Sequence, residues 1–281
     1  MKVLPFKIPK PENRSLIVQE DKGISFYNKL HQHHEIQISL IVKGEGTCII
    51  GDHVGEFKST DIFVIGENLP HVFNCDLSSR EEVHMISLFF TQSSYGGEFF
   101  SFPDFKSFYS FFKDSALGIK ILSDKDELAA RLLKIIDRSK FDQFISLLKI
   151  LQTIVKGENQ KLSSLINTKK YDGEEGKRMQ DIFEHTMQNF NRNITLTEVS
   201  DIANMTSNAF CRYFKQRTNK TFINFLNEIR IGNSCKLLAK TSDLSIAEIS
   251  YRSGFNNLTN FNRKFKAVKG ITPSDYRRKN K

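Results

Sequence analysis

An internal repeat in the last third of the chain is the feature that most constrains its fold. The segment LTEVSDIANMTSNAFCRYFKQRTNKT matches the later segment IAEISYRSGFNNLTNFNRKFKAVKGIT. Glu198 aligns with Glu248 and Phe210 aligns with Phe261, so one residue has been inserted between the two aligned positions. Two copies indicate a duplicated domain, because a solenoid needs at least about three repeats.

Each copy predicts a short helix, a turn, and a second helix that carries the pattern F-x-R-x-F-K. Phe210 and Phe214 lie four residues apart on one helix face, so Arg212 points away from that face. This is the layout of a helix-turn-helix, whose second helix presents arginine and asparagine to base edges in the DNA major groove. The candidate DNA-contacting residues are Ser207, Asn208, Cys211, Arg212 and Lys215 in the first copy, and Asn257, Thr259, Asn262, Arg263 and Lys266 in the second.

The net charge of +9 is concentrated in the same part of the chain. From Arg178 to Lys281 there are 18 basic and 8 acidic residues, whereas the remaining residues include 23 basic and 24 acidic ones. A basic segment attached to a nearly neutral one indicates a polyanionic partner, with nucleic acid as the first candidate. An RNA-binding role is disfavoured, because the exposed residues lie on helices and lack an aromatic stacking platform.

The first part of the chain has a different pattern. Residues 16–95 contain short apolar runs separated by Gly, Asp and Asn, which predicts an antiparallel β-sandwich or barrel. Residues 98–165 have apolar positions every three or four residues, which predicts helices. The apolar stripe between Leu128 and Val155 is wide enough for a dimer interface, and packing against the β-domain is the alternative. The polar run KYDGEEGK, at 170–177, is predicted to be a linker and hinge.

Several classes of protein are excluded by the sequence pattern. The chain has no run of about 18 uncharged apolar residues, and its first residues contain prolines and charges instead of an apolar signal sequence. We therefore expect a cytoplasmic protein without a membrane contact. The four cysteines are widely spaced and are expected to be reduced thiols. The chain also lacks a P-loop and a dinucleotide-binding fingerprint, so we expect no enzyme activity.

Residues 178–281 resemble the DNA-binding domain of AraC/XylS-type bacterial transcription regulators. That family joins two helix-turn-helix units by a long helix, which here corresponds to TFINFLNEIRIGNSCKLLAK, and its most specific signature corresponds to IAEISYRSGF with FNRKFKAVKGITPSDYRR. Asn260 and Asn219 depart from the family pattern, which often has an aromatic residue and a glycine at these positions. The resemblance implies double-stranded DNA and RNA polymerase as partners, and leaves open whether binding activates or represses transcription.

The segment LHQHHEIQISLIVKGEGTCIIGDHVGEFKSTDIFVIGENLPHVF is similar to the cupin barrel that commonly precedes this DNA-binding domain. The cupin ligand positions correspond here to His31, His33, Gln37 and His71, with a neutral amide where cupins have a carboxylate. These four residues are expected to bind an effector without a metal ion or other cofactor. Two alternatives stay open, namely a divalent metal site with Glu35 as substitute ligand, and histidines that only bond within the barrel.

The predicted architecture is α+β. It consists of an N-terminal antiparallel, cupin-like β-barrel with a helical connector, and an all-α C-terminal domain of two helix-turn-helix units. The expected domains are an effector-sensing domain at 1–97, a helical dimerisation region at 98–169 and a DNA-binding domain at 170–281. The predicted function is that of a homodimeric, sequence-specific transcription regulator whose effector is a small molecule, with a sugar as the leading guess. The alternative is a cupin metalloenzyme, a dioxygenase or an isomerase, with a basic appendage.

Overall fold

The computed structural model describes residues 15–76, 82–164, 173–241 and 243–280. The chain divides into two compact units, Met1–Gly176 and Lys177–Lys281. Among the described residues, no helix combines the length and the apolar character needed to cross a bilayer.

The N-terminal unit contains two antiparallel sheets. Strands β1, β7, β2, β5, β8 and β9 form the first sheet in that order, and β4, β3 and β6 form the second. The strands are β1 (Ile17–Gly23), β2 (Ile36–Lys43), β3 (Gly46–Ile50), β4 (His53–Phe57), β5 (Ile62–Ile65), β6 (His71–Cys75), β7 (Val83–Phe90), β8 (Ile119–Ile121) and β9 (Asn159–Lys161). The antiparallel pairing is as predicted, but the described strands belong to two separate sheets, so a closed barrel is not shown.

The side chains of β2 alternate between the two faces of the first sheet, with apolar residues on one face and polar residues on the other. Ile36, Ile38 and Leu40 face the helices of this unit and are almost completely buried. Gln37 and Ser39 take the opposite face, because successive side chains of a strand point to opposite sides. The sequence therefore places a polar pair inside the unit, between flanking apolar residues.

Three α-helices and two 3₁₀-helices cover the face of the first sheet that carries Ile36, Ile38 and Leu40. The α-helices are α1 (Tyr109–Ser115), α2 (Lys125–Lys134) and α3 (Lys140–Lys156), and the 3₁₀-helices are Phe99–Ser101 and Pro103–Phe108. Leu128 and Leu132 of α2 and Leu147, Ile150 and Leu151 of α3 belong to the same apolar cluster as the sheet. Most of the apolar stripe is thus packed against the β-domain, which is the alternative that the sequence left open, whereas Leu133 is exposed.

Two further predictions for the middle of the chain need correction. The region 98–165 is not wholly helical, because β8 and β9 extend the first sheet beyond β5. The predicted linker at 170–177 is helical from Gly173 onward, and its first three residues lie outside the described ranges. Glu174 and Glu175 occupy the first turn of this helix, where a negative charge interacts favourably with the positive end of the helix dipole.

The C-terminal unit is helical and reproduces the internal repeat. Its helices are α4 (Gly173–Asn189), α5 (Leu196–Ile202), α6 (Ser207–Thr218), α7 (Phe222–Lys240), α8 (Ile246–Arg252), α9 (Leu258–Lys269) and α10 (Pro273–Lys279). Helices α5 and α8 each have 7 residues, and α6 and α9 each have 12, so the inserted residue lies in the second turn. The prediction of two helix-turn-helix units joined by a long helix is confirmed.

The long helix α7 is shared between the two copies. Phe222 and Phe225, in its first half, contact aromatic rings of the first copy. Ile231, Cys235 and Leu238, in its second half, belong to the apolar cluster of the second copy. A helix that is buried on several sides has to be apolar around much of its circumference, which matches the ten buried residues of α7.

Candidate functional site

The inner faces of α6 and α9 fix both helices in equivalent positions. Phe210 and Phe214 of α6 and Phe261 and Phe265 of α9 are fully buried. The paired ring centroids lie 5.7 Å apart in α6 and 5.6 Å apart in α9. These aromatic pairs attach each helix to its own core, and the opposite helix face is left in solvent.

Eight of the ten predicted DNA-contacting residues are exposed on these opposite faces. Ser207 is half-buried, and its hydroxyl lies 3.1 Å from that of Ser200. Asn257 is exposed, but its side chain caps α9 by accepting a hydrogen bond from the backbone N–H of Asn260. Ser207 and Asn257 therefore stabilise the turns in this structure. The remaining eight exposed residues are Asn208, Cys211, Arg212, Lys215, Thr259, Asn262, Arg263 and Lys266.

Both helices end in the same backbone conformation although their sequences differ there. Asn219 follows α6 with a φ of +54°, and Gly270 follows α9 with a φ of +75°. Asparagine is one of the few residues other than glycine that adopt the left-handed region readily. The departure at Asn219 from the family pattern therefore lets α6 end in the same left-handed conformation as α9.

The two outer faces differ in how their arginine is held. The guanidinium of Arg263 donates a hydrogen bond of 3.0 Å to the side-chain oxygen of Asn260, three residues earlier on the same helix. The position equivalent to Asn260 in the first copy is Ala209, which has no polar side chain. Asn260 thus orients Arg263 in a way that has no counterpart at Arg212. The sequence analysis noted Asn260 only as a departure from the family pattern.

The glutamates that the repeat preserves support the first helix of each copy. The side chain of Glu198 binds Arg192 and, at 2.8 Å, Nε2 of His185. These contacts, above all the hydrogen bond from Arg192, lower the pKa of Glu198 to about 2. Glu248 forms a capping box with Ser245, whose backbone N–H lowers the pKa of the Glu248 carboxyl. The two glutamates are structural and do not belong to the outer faces of α6 and α9.

A second group of polar residues lies in the N-terminal unit. His31, just before β2, pairs with His71 of β6 through two backbone hydrogen bonds. Nε2 of His33 and Nε2 of His71 lie 3.0 and 3.1 Å from Oε1 of Gln37. The structure therefore brings all four predicted effector-binding residues together, and the potential ligand atoms of the three histidines lie within 4.8 Å of one another.

The backbone determines how the three imidazoles are oriented. Nδ1 of His31, His33 and His71 lies 2.8, 2.9 and 2.8 Å from the carbonyl oxygens of Lys29, Glu35 and Leu69. A carbonyl oxygen only accepts, so Nδ1 is the donor in each of these contacts. A neutral ring then has its lone pair on Nε2, which cannot donate to Oε1 of Gln37. Burial lowers the pKa of all three rings, that of His31 to about 4, which keeps them neutral at pH 7.

His34 and Glu35 follow His33 and precede β2, and they differ in burial. His34 is exposed, with Nδ1 3.9 Å from a carboxylate oxygen of Glu67. Glu35 is buried, and its carboxylate oxygen lies 3.8 Å from Nδ1 of His33. This contact is with the nitrogen that already bonds a carbonyl, so Glu35 lies on the side of the ring away from Nε2. Its geometry does not support Glu35 as a substitute metal ligand.

The donor set of the histidine cluster suits a divalent transition metal in all but one position. Three neutral imidazoles, each fixed through its second nitrogen, are typical ligands and typical orientations for zinc. The fourth group is the neutral amide of Gln37, whose Nε2 donates to the hydroxyl of Ser39 at 2.7 Å. Gln37 therefore lies between the histidines and further polar side chains, and it supplies no negative charge.

We expect Gln37→Glu to bind Zn²⁺ at least about tenfold more tightly than the parent chain, because a carboxylate would replace the neutral amide. Isothermal titration of both chelator-treated proteins with Zn²⁺ measures the difference. Adding His71→Ala to Gln37→Glu should abolish the gain, whereas the exposed control His34→Ala should preserve it. Equal affinity of Gln37→Glu and the parent would contradict the assignment of these residues to one ligand set.

Comparisons with known proteins bear mainly on the C-terminal unit. Residues 199–279 match a family model described as a helix-turn-helix domain. The HTH-type transcriptional regulator YdeC of Bacillus subtilis is 25% identical over 272 residues, covering 92% of this chain and 89% of that protein. The transcriptional activator RhrA of Rhizobium meliloti is 35% identical over 103 residues, which are 36% of this chain and 32% of RhrA.

A solved structure matches about a third of this chain. The C-terminal domain of AraT, a response regulator from Geobacillus stearothermophilus, is 29% identical, with a TM-score of 0.34. The match covers 36% of this chain and 84% of that domain.

Proposed function

We propose that this chain, a DNA-binding transcription regulator with an AraC-type helix-turn-helix domain, binds duplex DNA through α6 and α9 together. The observation that carries this proposal is the repeated outer face, on which arginine, lysine and asparagine side chains are exposed on two helices of one compact unit. A recognition helix fills one major groove, so two helices on one face of DNA contact segments about 10 bp apart. The role is one of binding and involves no catalysis.

Selection of duplexes from a random-sequence pool by the purified full chain tests this function. We expect the enriched duplexes to contain two conserved segments about one helical turn apart, and binding to weaken steeply as salt is raised. Phosphate contacts from the basic C-terminal unit explain the salt dependence, whereas contacts to base edges explain the conserved segments. Failure to enrich any sequence would contradict the proposal.

We expect Asn260→Ala to reduce base discrimination at the position that Arg263 contacts, by about 0.5–1 kcal/mol. The lost hydrogen bond leaves the guanidinium free to adopt several orientations. Conversely, Ala209→Asn should sharpen discrimination by Arg212, since it introduces the same partner at the equivalent position of the first copy. Binding to duplexes changed at single base pairs measures both effects. Unaltered base preference in both variants would show that the contact does not persist on DNA.

The N-terminal unit is proposed to sense a small effector at the cluster of His31, His33, Gln37 and His71. The support is their convergence and burial in a unit separate from the helix-turn-helix units. An effector changes DNA affinity only if it binds one state of the chain better than another, and the coupling is reciprocal. A sugar or related polar metabolite remains the expected class. Thermal-shift screening of such compounds, with and without the selected duplex, tests effector binding and its coupling to DNA.

Homodimerisation and a contact with RNA polymerase complete the proposed function. Two linked DNA-binding units raise the effective concentration at adjacent sites, which gives a dimer a functional advantage. Sedimentation of the full chain at increasing concentration measures association, and a chain that stays monomeric throughout would contradict the dimer. A metalloenzyme is favoured only by the three-histidine cluster, and the Zn²⁺ titration described above addresses that alternative directly.

A further inference from the structure

We infer that Arg230 is a positioning residue that sets the distance between the two recognition helices. Arg230 lies near the middle of α7, between the parts of this helix that serve the first and the second copy. Its Nε donates a hydrogen bond of 2.8 Å to the carbonyl oxygen of Phe190, and one terminal nitrogen donates a bond of 2.7 Å to the carbonyl oxygen of Arg192. One side chain thus holds the segment that leads from α4 into the first copy.

The same guanidinium contacts the second copy. Its central carbon lies 5.7 Å from the centre of the Phe255 ring. Phe255 is buried and packs against Phe261, with ring centroids 5.2 Å apart, and Phe261 belongs to α9. A continuous series of contacts therefore runs from the segment before α5, through Arg230, to the second recognition helix.

The turn before Phe255 shows how closely the second copy approaches the segment before α5 and the middle of α7. Gly254 has a φ of +87°, and a Cβ atom on it would lie 2.3 Å from the carbonyl oxygen of Phe190 and 2.8 Å from Nε of Arg230. Only a glycine fits a backbone that is both left-handed and in contact with another backbone. The junction formed by Phe190, Arg192, Arg230, Gly254 and Phe255 is therefore tightly packed.

The chemistry of Arg230 suits this junction better than that of a lysine. A guanidinium has donors in a fixed planar arrangement, so it can bind two carbonyl oxygens and stack on a ring at the same time. An ammonium keeps the charge but lacks that geometry. Loss of the junction should leave the core of each copy intact. It should allow the distance between α6 and α9 to vary.

This inference rests on the proposed function, and the test uses the duplex that the parent chain selects. The full-length parent, Arg230→Lys, Gly254→Ala and the control Arg252→Lys, which changes an exposed arginine of α8, are compared. Binding is measured to the selected duplex, to duplexes with one base pair inserted or removed between the two segments, and to each segment alone. Thermal unfolding of each variant verifies that the C-terminal unit remains folded.

We expect the parent and Arg252→Lys to lose about tenfold or more in affinity when the spacing changes by one base pair. In Arg230→Lys and Gly254→Ala, affinity for the selected duplex should fall about tenfold, because a looser connection lowers the effective concentration of the second helix. The spacing penalty in these two variants should shrink to less than about threefold, with unchanged affinity for single segments.

Parent-like spacing dependence in both junction variants would overturn the inference, and so would an equal loss of affinity for single segments. The latter result would show that Arg230 supports the fold of one copy. If the parent selects no duplex at all, the proposed function fails and this inference fails with it. The two kinds of failure are therefore distinguishable.

Discussion

Replacing Arg212 and Arg263 together by alanine is expected to weaken binding of the selected duplex by about 2–6 kcal/mol, because each arginine–base contact contributes about 1–3 kcal/mol. Both side chains are exposed at equivalent positions of α6 and α9. Each single variant should lose about half of this free energy. It should also lose base preference only in the segment that its own helix contacts. Fluorescence anisotropy with labelled duplexes, at one fixed salt concentration, measures these changes.

A control for net charge separates base contacts from general attraction to DNA. Arg252→Ala combined with Lys240→Ala also removes two positive charges, from exposed positions outside α6 and α9. This variant should change affinity little and should keep the base preference of the parent. An equal loss in the control and in the Arg212→Ala, Arg263→Ala variant would show that the recognition helices have been assigned wrongly.

Phe261→Ala should lower the free energy of unfolding of the C-terminal unit by about 3–5 kcal/mol, which is the usual cost of truncating a buried phenylalanine. Phe261 is fully buried and contacts the rings of Phe255 and Phe265. Urea unfolding followed by the circular dichroism of the helices measures the loss.

The matched control for Phe261→Ala is Tyr251→Ala, which removes an aromatic ring that is 74% exposed. Its effect should stay within about 0.5 kcal/mol, as for most surface substitutions. A loss below about 1 kcal/mol in Phe261→Ala would contradict the packing of the second copy. A large loss of stability in Phe261→Ala would also weaken DNA binding indirectly. Comparing this variant with Arg263→Ala therefore separates a folding defect from the loss of a base contact.

The C-terminal unit was largely predictable because its organisation is local and occurs twice. Phe210 and Phe214 define a helix face by their spacing alone, and their repetition at Phe261 and Phe265 removes most of the ambiguity of a single pattern. Thr206 caps α6 as its sequence position indicates. Such signals depend on residues three or four positions apart, which a sequence displays directly.

The contacts of Arg230 could not be predicted from the sequence, because its partners are backbone carbonyl groups about 40 residues earlier in the chain. Any residue type can supply a carbonyl oxygen, so the pairing leaves no pattern in the sequence. Strands β8 and β9 were missed for a related reason. Each has three residues, so the apolar–polar alternation of β8 is too short to predict a strand, and β9 consists of exposed polar residues without alternation.

The histidine cluster was predictable in composition but not in arrangement. The resemblance to cupin barrels implied a shared site for His31, His33, Gln37 and His71, and the structure places them together. The sequence could not show that Nδ1 of each ring is occupied by a nearby backbone carbonyl. It also could not show that Oε1 of Gln37 lies within 3.1 Å of Nε2 of two imidazoles, because both features depend on the path of the chain between the strands.

The division of α7 between the two copies has a consequence for synthesis on the ribosome. Phe222 and Phe225 complete the aromatic cluster of the first copy, so that copy has its full set of ring contacts once the first half of α7 has emerged. Ile231, Cys235 and Leu238 then present an apolar surface before their partners in α8 and α9 have been translated. The first copy and α7 therefore form a template on which the second copy assembles, and the order of the two halves along the chain gives this assembly a direction.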